Sequence, residues 1–267
     1  MFIQTLWVII KARNIMKKYL LKFKPIKYYV KGRKVLKNKH YLGVQEKNRN
    51  ETQKRPSRTE IINFLLSKRR DKTSYLEIGV RNPDDNFNNI KSDVKYSVDP
   101  GIEFEKNPVD FKMTSDMFFK KLSNNEILSN DIKFDVIFID GLHLAEQVNK
   151  DIQNSINYIQ DDGFVVLHDC NPPSEWHARE NHYYNDTPAH GFWNGTTWKA
   201  FLKWRFESSV NSCCIDSDWG VGILSKIQMI GKNIKSTNHF FEFDQLDKNR
   251  KEFLNLIDFE TLKKLVR

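Results

Sequence analysis

The sequence predicts an α/β fold built on a mostly parallel sheet, and three observations carry that expectation. Short apolar runs alternate with helical stripes from residue 59 onward, the pattern of strand–helix–strand units. Four of these runs end at a carboxylate or beside one, where open parallel sheets bind ligands. The 267 residues, 39% hydrophobic and 13% aromatic, are also enough to bury a sizeable core.

The elements follow in order. Residues 1–58 hold 17 Lys/Arg and 2 Asp/Glu, a net +15, whereas the remaining 209 residues hold 26 and 32, a net −6. The overall +9 therefore belongs to an N-terminal extension and does not mark the whole chain as a nucleic-acid binder. Met1–Ile10 is apolar, but its positive charges follow the run, the reverse of a secretory signal. Lys11 interrupts it well short of the roughly 20 apolar residues that a membrane span needs. From Phe2 to about Val30, aromatic and aliphatic residues mix with lysines, which suits a solvated basic tail or contact with an anionic membrane surface. Residues 43–58 are polar and read as a linker, so the domain division falls between 1–58 and 59–267. Cys170, Cys213 and Cys214 form neither a disulfide framework nor a zinc pair, which fits a reducing, cytoplasmic setting with at most peripheral membrane contact.

Thr59 is placed to cap a helix with Ile61, Ile62, Leu65 and Leu66 on one face. Strands are expected at 74–80, 95–98, 134–139 and 164–167, with a weaker one at 109–113. A helix over 144–160 carries Val148, Ile152, Ile156 and Ile159 as an amphipathic stripe. Residues 171–198 are irregular and rich in Pro, His and Trp, and long structureless segments in compact domains are usually functional. Trp176, His177, His182, Trp193 and Trp198 mark this segment as an acceptor loop. A helix at 197–207 precedes an antiparallel hairpin, 212–215 and 220–225 about the turn Asp216–Trp219, and the chain closes in helices, the clearest over 250–266.

Glu77, Asp99, Asp140 and Asp169 gather on one sheet edge, an arrangement that is costly unless a ligand or cation satisfies it. Gly79 lets the backbone approach a ligand. Asp99, some twenty residues on, stands where a carboxylate accepts a ribose diol, or else forms an Asp-Pro-Gly turn. By spacing alone, nicotinamide and adenosylmethionine cofactors fit equally. The loop Gly79-Val-Arg-Asn-Pro-Asp-Asp lacks the glycines of a pyrophosphate site and adds two carboxylates that would repel one, so it suits a sulfonium cofactor better.

YLEIGV, SVDPG, FDVIFIDGLH and GFVVLHDCNPP resemble, in order and spacing, the class I SAM-dependent methyltransferases. The nearest branch is the sugar and small-molecule O-methyltransferases with I-D-x-x-H after strand four, and the likeness covers about residues 59–226. The resemblance implies a Rossmann-like, seven-stranded, mostly parallel sheet with an antiparallel closing hairpin and helices on both faces. It also implies SAM as cofactor, with Glu77 and Gly79 at the methionine end and Asp99 on the ribose. Ser115 and Asp116 would lie near the adenine, unless they only cap a helix, and Asp140 at the methyl-transfer centre. The glycine-rich motif of the family is here reduced to Glu77-Ile-Gly79-Val-Arg-Asn-Pro.

A hydroxyl acceptor must lose a proton, and His143, three residues past Asp140, is placed to take it. His168 reads as an orienting residue at its strand end. Asp140, Asp169 and Asn171 offer three oxygens that could hold Mg²⁺ and lower the pKa of an acceptor diol. The expected reaction is therefore methyl transfer from SAM to a hydroxyl of a sugar, glycan or other small polyol, in glycan or natural-product biosynthesis. Asn171-Pro-Pro-Ser174 resembles the tetrad of amino-methyltransferases, but lacks its aromatic residue and follows a different strand. Two alternatives stay open: a nucleic-acid methyltransferase that uses the basic extension, and a non-catalytic binding module on the same fold.

Overall fold

The structure, a computed structural model, describes residues 19–20, 22–69, 71–103, 107–231, 233–234 and 238–266. The apolar run Met1–Ile10 lies outside the described residues. Two compact units part between Glu46 and Lys47. In the first, helix α1 (Lys24–Leu36) has Pro25 in its first turn, where a missing N–H is harmless, and Arg33 and Lys34 in its last, where they complement the helix dipole. It buries none of its residues, and Tyr28, Tyr29 and Leu36 are exposed.

Helix α2 (Lys39–Gln53) runs through most of the expected linker. Within the second unit, tertiary anchors outweigh its polar composition. Asn48 Nδ2 donates to the Pro188 carbonyl, and Lys54 Nζ lies 2.6 Å from Asp216 Oδ1 and beside the buried Glu51. Helix α3 (Arg58–Ser67) is capped by Ser57 rather than Thr59, because Ser57 and Glu60 form a reciprocal capping box. Thr59, one position into the helix, instead donates its hydroxyl to Asn86 Oδ1 at 2.7 Å.

The body is a seven-stranded sheet: β1 (Ser74–Ile78), β2 (Val94–Val98), β3 (Phe134–Ile139), β4 (Ile159–Leu167), β5 (Asn211–Ile215), β6 (Val221–Ser225) and β7 (Leu256–Ile257). Their order is β2-β1-β3-β4-β6-β5-β7. β1 to β4 pair in parallel, β6 pairs antiparallel with both β4 and β5, and β7 pairs in parallel with β5. This is the class I methyltransferase sheet with its antiparallel hairpin. The weak strand at 109–113 is reduced to one bridge, Val98 with Phe111. There Asp110 folds its carboxylate onto Ser97, and Met113 N turns back onto the Phe111 carbonyl, which ends the extended run. The seventh strand comes instead from Leu256–Ile257, inside the stretch 250–266 expected as helix, and it separates α7 (Phe243–Phe253) from α8 (Phe259–Leu265).

The period-2 alternation of the strands feeds two cores. Leu76, Ile78, Ile137 and Ile139 pack with α4 (Ser115–Ser123), α5 (Ala145–Tyr158), α6 (Thr197–Glu207) and α7 through Phe118, Leu122, Ile152, Trp198, Phe201 and Leu246. Tyr75, Val136 and Phe138 face the other way, against Ile61, Leu65 and Leu66 of α3 and Leu262 of α8. Each fully buried side chain of this kind contributes about 1.5–3 kcal/mol, so the two cores hold the parallel strand ends in register. Trp198, read as an acceptor-loop residue, is 1% exposed and belongs to the first core.

Candidate active site at the carboxyl edge

The carboxyl ends of β1, β2, β3 and β4 present Gly79, Asp99, Asp140 and Asp169 along one rim. The chain leaves β1 for β2 on one side and reaches β3 on the other, so the rim opens at a topological switch point. Gly79 has φ +88°, and a Cβ there would lie 2.3 Å from Gly141 Cα and 2.4 Å from the Asp140 carbonyl. The glycine is therefore required for the loops after β1 and β3 to pass each other, which fixes the position of Asp140.

His143 lies between two carboxylates. Its Nε2 is 3.3 Å from Asp140 Oδ1, and its Nδ1 is 3.1 Å from Asp169 Oδ2 and 3.1 Å from the Trp193 carbonyl. Asp140, His143 and Asp169 each offer a ligand atom within 4.8 Å of the others. Burial pulls the His143 imidazole down, but Asp169 and Asp140 outweigh it and push its pKa up to about 9. Burial likewise pushes the Asp140 carboxyl up, but His168, His143 and Arg58 hold it well below the usual carboxylate range.

The irregular segment closes over this group from above. Thr196 N donates to the His143 carbonyl at 2.8 Å, and Thr196 Oγ1 accepts from Ala145 N at 2.8 Å, capping α5 from outside. Gly195 (φ +61°) has no room for a side chain, since a Cβ would lie 2.1 Å from the His143 carbonyl oxygen. Trp193 stacks on His143 with ring centroids 5.1 Å apart, and Asn194 Nδ2 donates to Asp169 Oδ1 at 2.7 Å. His177 is buried, bonded through Nδ1 to Ser174, and its carbonyl receives the N–H groups of Asn194 and Gly195.

The structure does not bring every expected residue to this point. Asn171, expected as the third metal ligand, has both ends of its amide engaged: Oδ1 accepts from Arg250 and Nδ2 donates to Asp216. Glu77 shares a strand face with Tyr75 and is 3% exposed, and its Oε2 accepts from Tyr75 Oη at 2.6 Å and Asn86 Nδ2 at 2.9 Å. Burial pushes its pKa up to about 7 against those two hydrogen bonds. Ser115 and Asp116 open α4 behind the cap Thr114, and Gln147 Nε2 of α5 donates to both. Asp99 Oδ1 accepts Gly101 N at 2.6 Å, and the Asn107 amide lies alongside. Asn107 donates to the Val80 carbonyl and leaves Oδ1 buried without a partner. An orphaned acceptor beside a half-buried carboxylate fits a ligand rich in hydroxyls, as the ribose of SAM is.

Two residues of the site escaped the sequence reading. Arg58 stood as the last residue of the linker, yet its Nε is 3.9 Å from Asp140 Oδ2 and its Nη1 3.3 Å from Asp218 Oδ1. Asp218 stood in the hairpin turn, yet it reaches His168 Nε2 at 3.2 Å. The signal for Asp218 is backbone: Asp218, Trp219 and Gly220 are three consecutive positive-φ residues, which aims the turn back at the sheet edge.

Residues 55–170 match a family model described as a methyltransferase domain. A comparison with curated protein sequences finds no match. Among solved structures, an O-methyltransferase from Bacillus cereus in complex with SAH is similar at 12% identity and a TM-score of 0.40, covering 78% of this chain and 100% of that one. The O-methyltransferase TomG from Streptomyces achromogenes, involved in tomaymycin synthesis and bound to SAM, is similar at 12% identity and a TM-score of 0.38, covering 77% and 97%. Residues 55–170, from α3 through β4, are thus similar to a methyltransferase domain, and they lie in a sheet with the strand order of the class I methyltransferase fold.

Proposed function

We propose that the chain transfers the methyl group of SAM to a hydroxyl of a sugar, glycan or other small polyol, with His143 as general base. The observation that carries this reading is the placement of His143, with one nitrogen on each of Asp140 and Asp169 at the rim and Trp193 stacked on its ring. Bound SAM supplies an electrophilic methyl on a sulfonium. The acceptor oxygen forms the new bond to carbon as the methyl–sulfur bond breaks, and the hydroxyl proton passes to His143. Asp99, with the orphaned Oδ1 of Asn107, takes the ribose hydroxyls, and Ser115 and Asp116 lie toward the adenine. Gly79 and Glu77 serve the methionine end, Glu77 from inside the sheet through the Asn86 loop that it fixes.

His143 with a pKa near 9 is an imidazolium at neutral pH and cannot accept a proton in that state. A divalent cation on Asp140 and Asp169 would absorb the carboxylate charge, free the imidazole and lower the acceptor pKa. The exposed rings of Phe192, Tyr183 and Tyr184 on the covering segment support a sugar-like acceptor, whose C–H faces pack on aromatics. The net +15 of residues 1–58 supports docking at an anionic, cytoplasmic membrane surface. Among the described residues no helix is long and apolar enough to cross a membrane.

The test is calorimetric titration with S-adenosylhomocysteine on the wild type and on Asp99→Ala. Micromolar binding that the substitution weakens supports the reading, and no binding by well-folded wild-type protein overturns it.

A further inference from the structure

The covering segment carries a guanidinium with one edge unused. Arg179 donates from Nη1 to two backbone carbonyls, Trp176 at 2.6 Å and Phe192 at 2.9 Å, which fixes the group against the segment. Its Nε and Nη2 are buried and find no hydrogen-bond partner. Those two nitrogens share one edge of the fork, the edge that takes both oxygens of a carboxylate or phosphate. A buried donor left without a partner loses its hydration for nothing, and the loss is greater on a charged group. Two such donors on one edge therefore mark the place of an acceptor with two oxygens. Among the described residues no carboxylate answers Arg179: burial alone acts on its pKa, and pulls it down.

The surroundings point to the same ligand. Burial, and then the charges of Arg179, Lys47 and Arg250, push the His177 imidazole down to a pKa of about 3. The three charges that act on this ring are all positive, so the segment around it favours an anion. Trp193 ties Arg179 to the proposed base: its Nε1 donates to the Arg179 carbonyl at 2.6 Å, and its ring stacks on His143 with centroids 5.1 Å apart. Residues 180–186, which follow Arg179 directly, are exposed throughout, so the segment is open to solvent next to it. At the rim itself the carboxylates of Asp140 and Asp169 repel an anionic group, which turns such a group toward Arg179 and leaves a hydroxyl to face the base.

We propose that Arg179 binds the acceptor, and that the acceptor is an acidic sugar or polyol whose carboxylate or phosphate takes the Nε–Nη2 edge. The inference rests on the reading of the rim as a methyl-transfer site, and it narrows the substrate class from polyols at large to anionic ones. Its test needs neither SAM nor turnover. A neutral sugar leaves the edge desolvated and unpaired, so Arg179 selects against it. The fold of the segment uses only Nη1, which ties the turn at Trp176 to Phe192, and makes no use of the other edge.

The experiment is an NMR titration of the full chain, isotopically labelled at nitrogen, with D-glucuronate, inorganic phosphate and, as the neutral control, D-glucose, at matched ionic strength. The readouts are the Arg179 Nε–H resonance, identified by its loss in Arg179→Lys, and the Trp193 indole N–H beside it. Glucuronate or phosphate should shift both saturably, and glucose should shift neither. The tighter of the two anions names the source, a uronic acid or a phosphorylated sugar. Read at Trp193, Arg179→Gln should weaken anion binding at least about tenfold. Arg179→Lys, a point charge without a paired edge, should recover only part of the loss. Anion binding unchanged in Arg179→Gln overturns the proposal, as does a glucose shift equal to that of the anions. So does the absence of a saturable shift at Arg179 with either anion, because the edge is then closed to ligands. Should Arg179→Gln fail to fold, the wild-type titration decides on the same terms. SAH binding is measured on the same samples. Its loss defeats the methyltransferase reading and its retention preserves it, whichever way the anion result falls.

Discussion

Glu77 and Asp140 stand at the ends of neighbouring strands, both withdrawn from water, and their protons respond in opposite ways. Burial pushes Glu77 up to about 7, and the neutral donors Tyr75 and Asn86 offset only part of it. Burial also acts on Asp140, but the cations facing it, His168 and Arg58, and the His143 hydrogen bond overcome it. The difference lies in what answers the carboxylate. Neutral hydrogen bonds leave a buried acid half-protonated near neutrality, whereas two imidazoles and a guanidinium hold one fully ionised. Glu77 is thus a core group that shapes a loop, while Asp140 is a permanently charged group exposed to whatever enters the rim.

The largest effect that bears on this contrast is loss of the rim imidazole. His143→Ala should lower turnover by ~10²–10⁴ while SAH affinity stays near the wild-type value. Equal losses of both would move His143 from chemistry to architecture. Next comes Glu77 itself. The folded protein holds its proton to about pH 7, and the unfolded chain releases it near 4.5. Stability therefore falls as pH rises between those values, by about 3 kcal/mol once pH 7 is passed. Glu77→Gln removes that dependence, so urea unfolding should find the variant gaining at pH 8 relative to pH 5. A collapse of SAH affinity in the same variant would show that Glu77 acts on the cofactor directly. Gly195→Ala is smaller: the added Cβ meets the His143 carbonyl at 2.1 Å, and the strain should cost about 1–3 kcal/mol and lower turnover with it. Unchanged turnover at normal stability would mean that the covering segment does not hold His143 in place.

The contrast also explains what the sequence could disclose. FDVIFI stopping at Asp140 and FVVL stopping at His168-Asp169 are local signals, since an apolar run that ends on a charge marks a strand end at a rim. The parallel sheet, its closing hairpin and His143 beside Asp140 follow from such signals. Arg58 and Asp218 do not, because they meet across 160 residues of chain and each looks like linker or turn in its own neighbourhood. Asn171 fails for the same reason in reverse: its placement two residues past Asp169 is local, but Arg250 on α7 claims its amide. Helix α2 is hidden by its polar composition, because the partner of its Asn48, Pro188, and the partner of Lys54 just past its end, Asp216, lie far along the chain. The sequence shows the strand of Glu77 but not its face, which follows from sharing the parity of Tyr75.

The smallest change isolates the worth of one neutral donor. Tyr75→Phe deletes the hydroxyl that donates to Glu77 Oε2 at 2.6 Å and accepts from Asn86 at 3.2 Å, with little change in packing. That hydrogen bond lowers the Glu77 pKa, so its removal drives the carboxyl further up. Below about pH 5 Glu77 is protonated in either protein, and the loss is a neutral hydrogen bond of about 1 kcal/mol. Above about pH 8 the donor faced a carboxylate, and the loss rises to about 2 kcal/mol, as for hydrogen bonds to charged groups. Urea unfolding at both values should therefore find a deficit that widens with pH. A deficit that stays flat would mean that Glu77 keeps its proton throughout, and the buried acid would then be further from Asp140 in behaviour than its two neutral partners suggest.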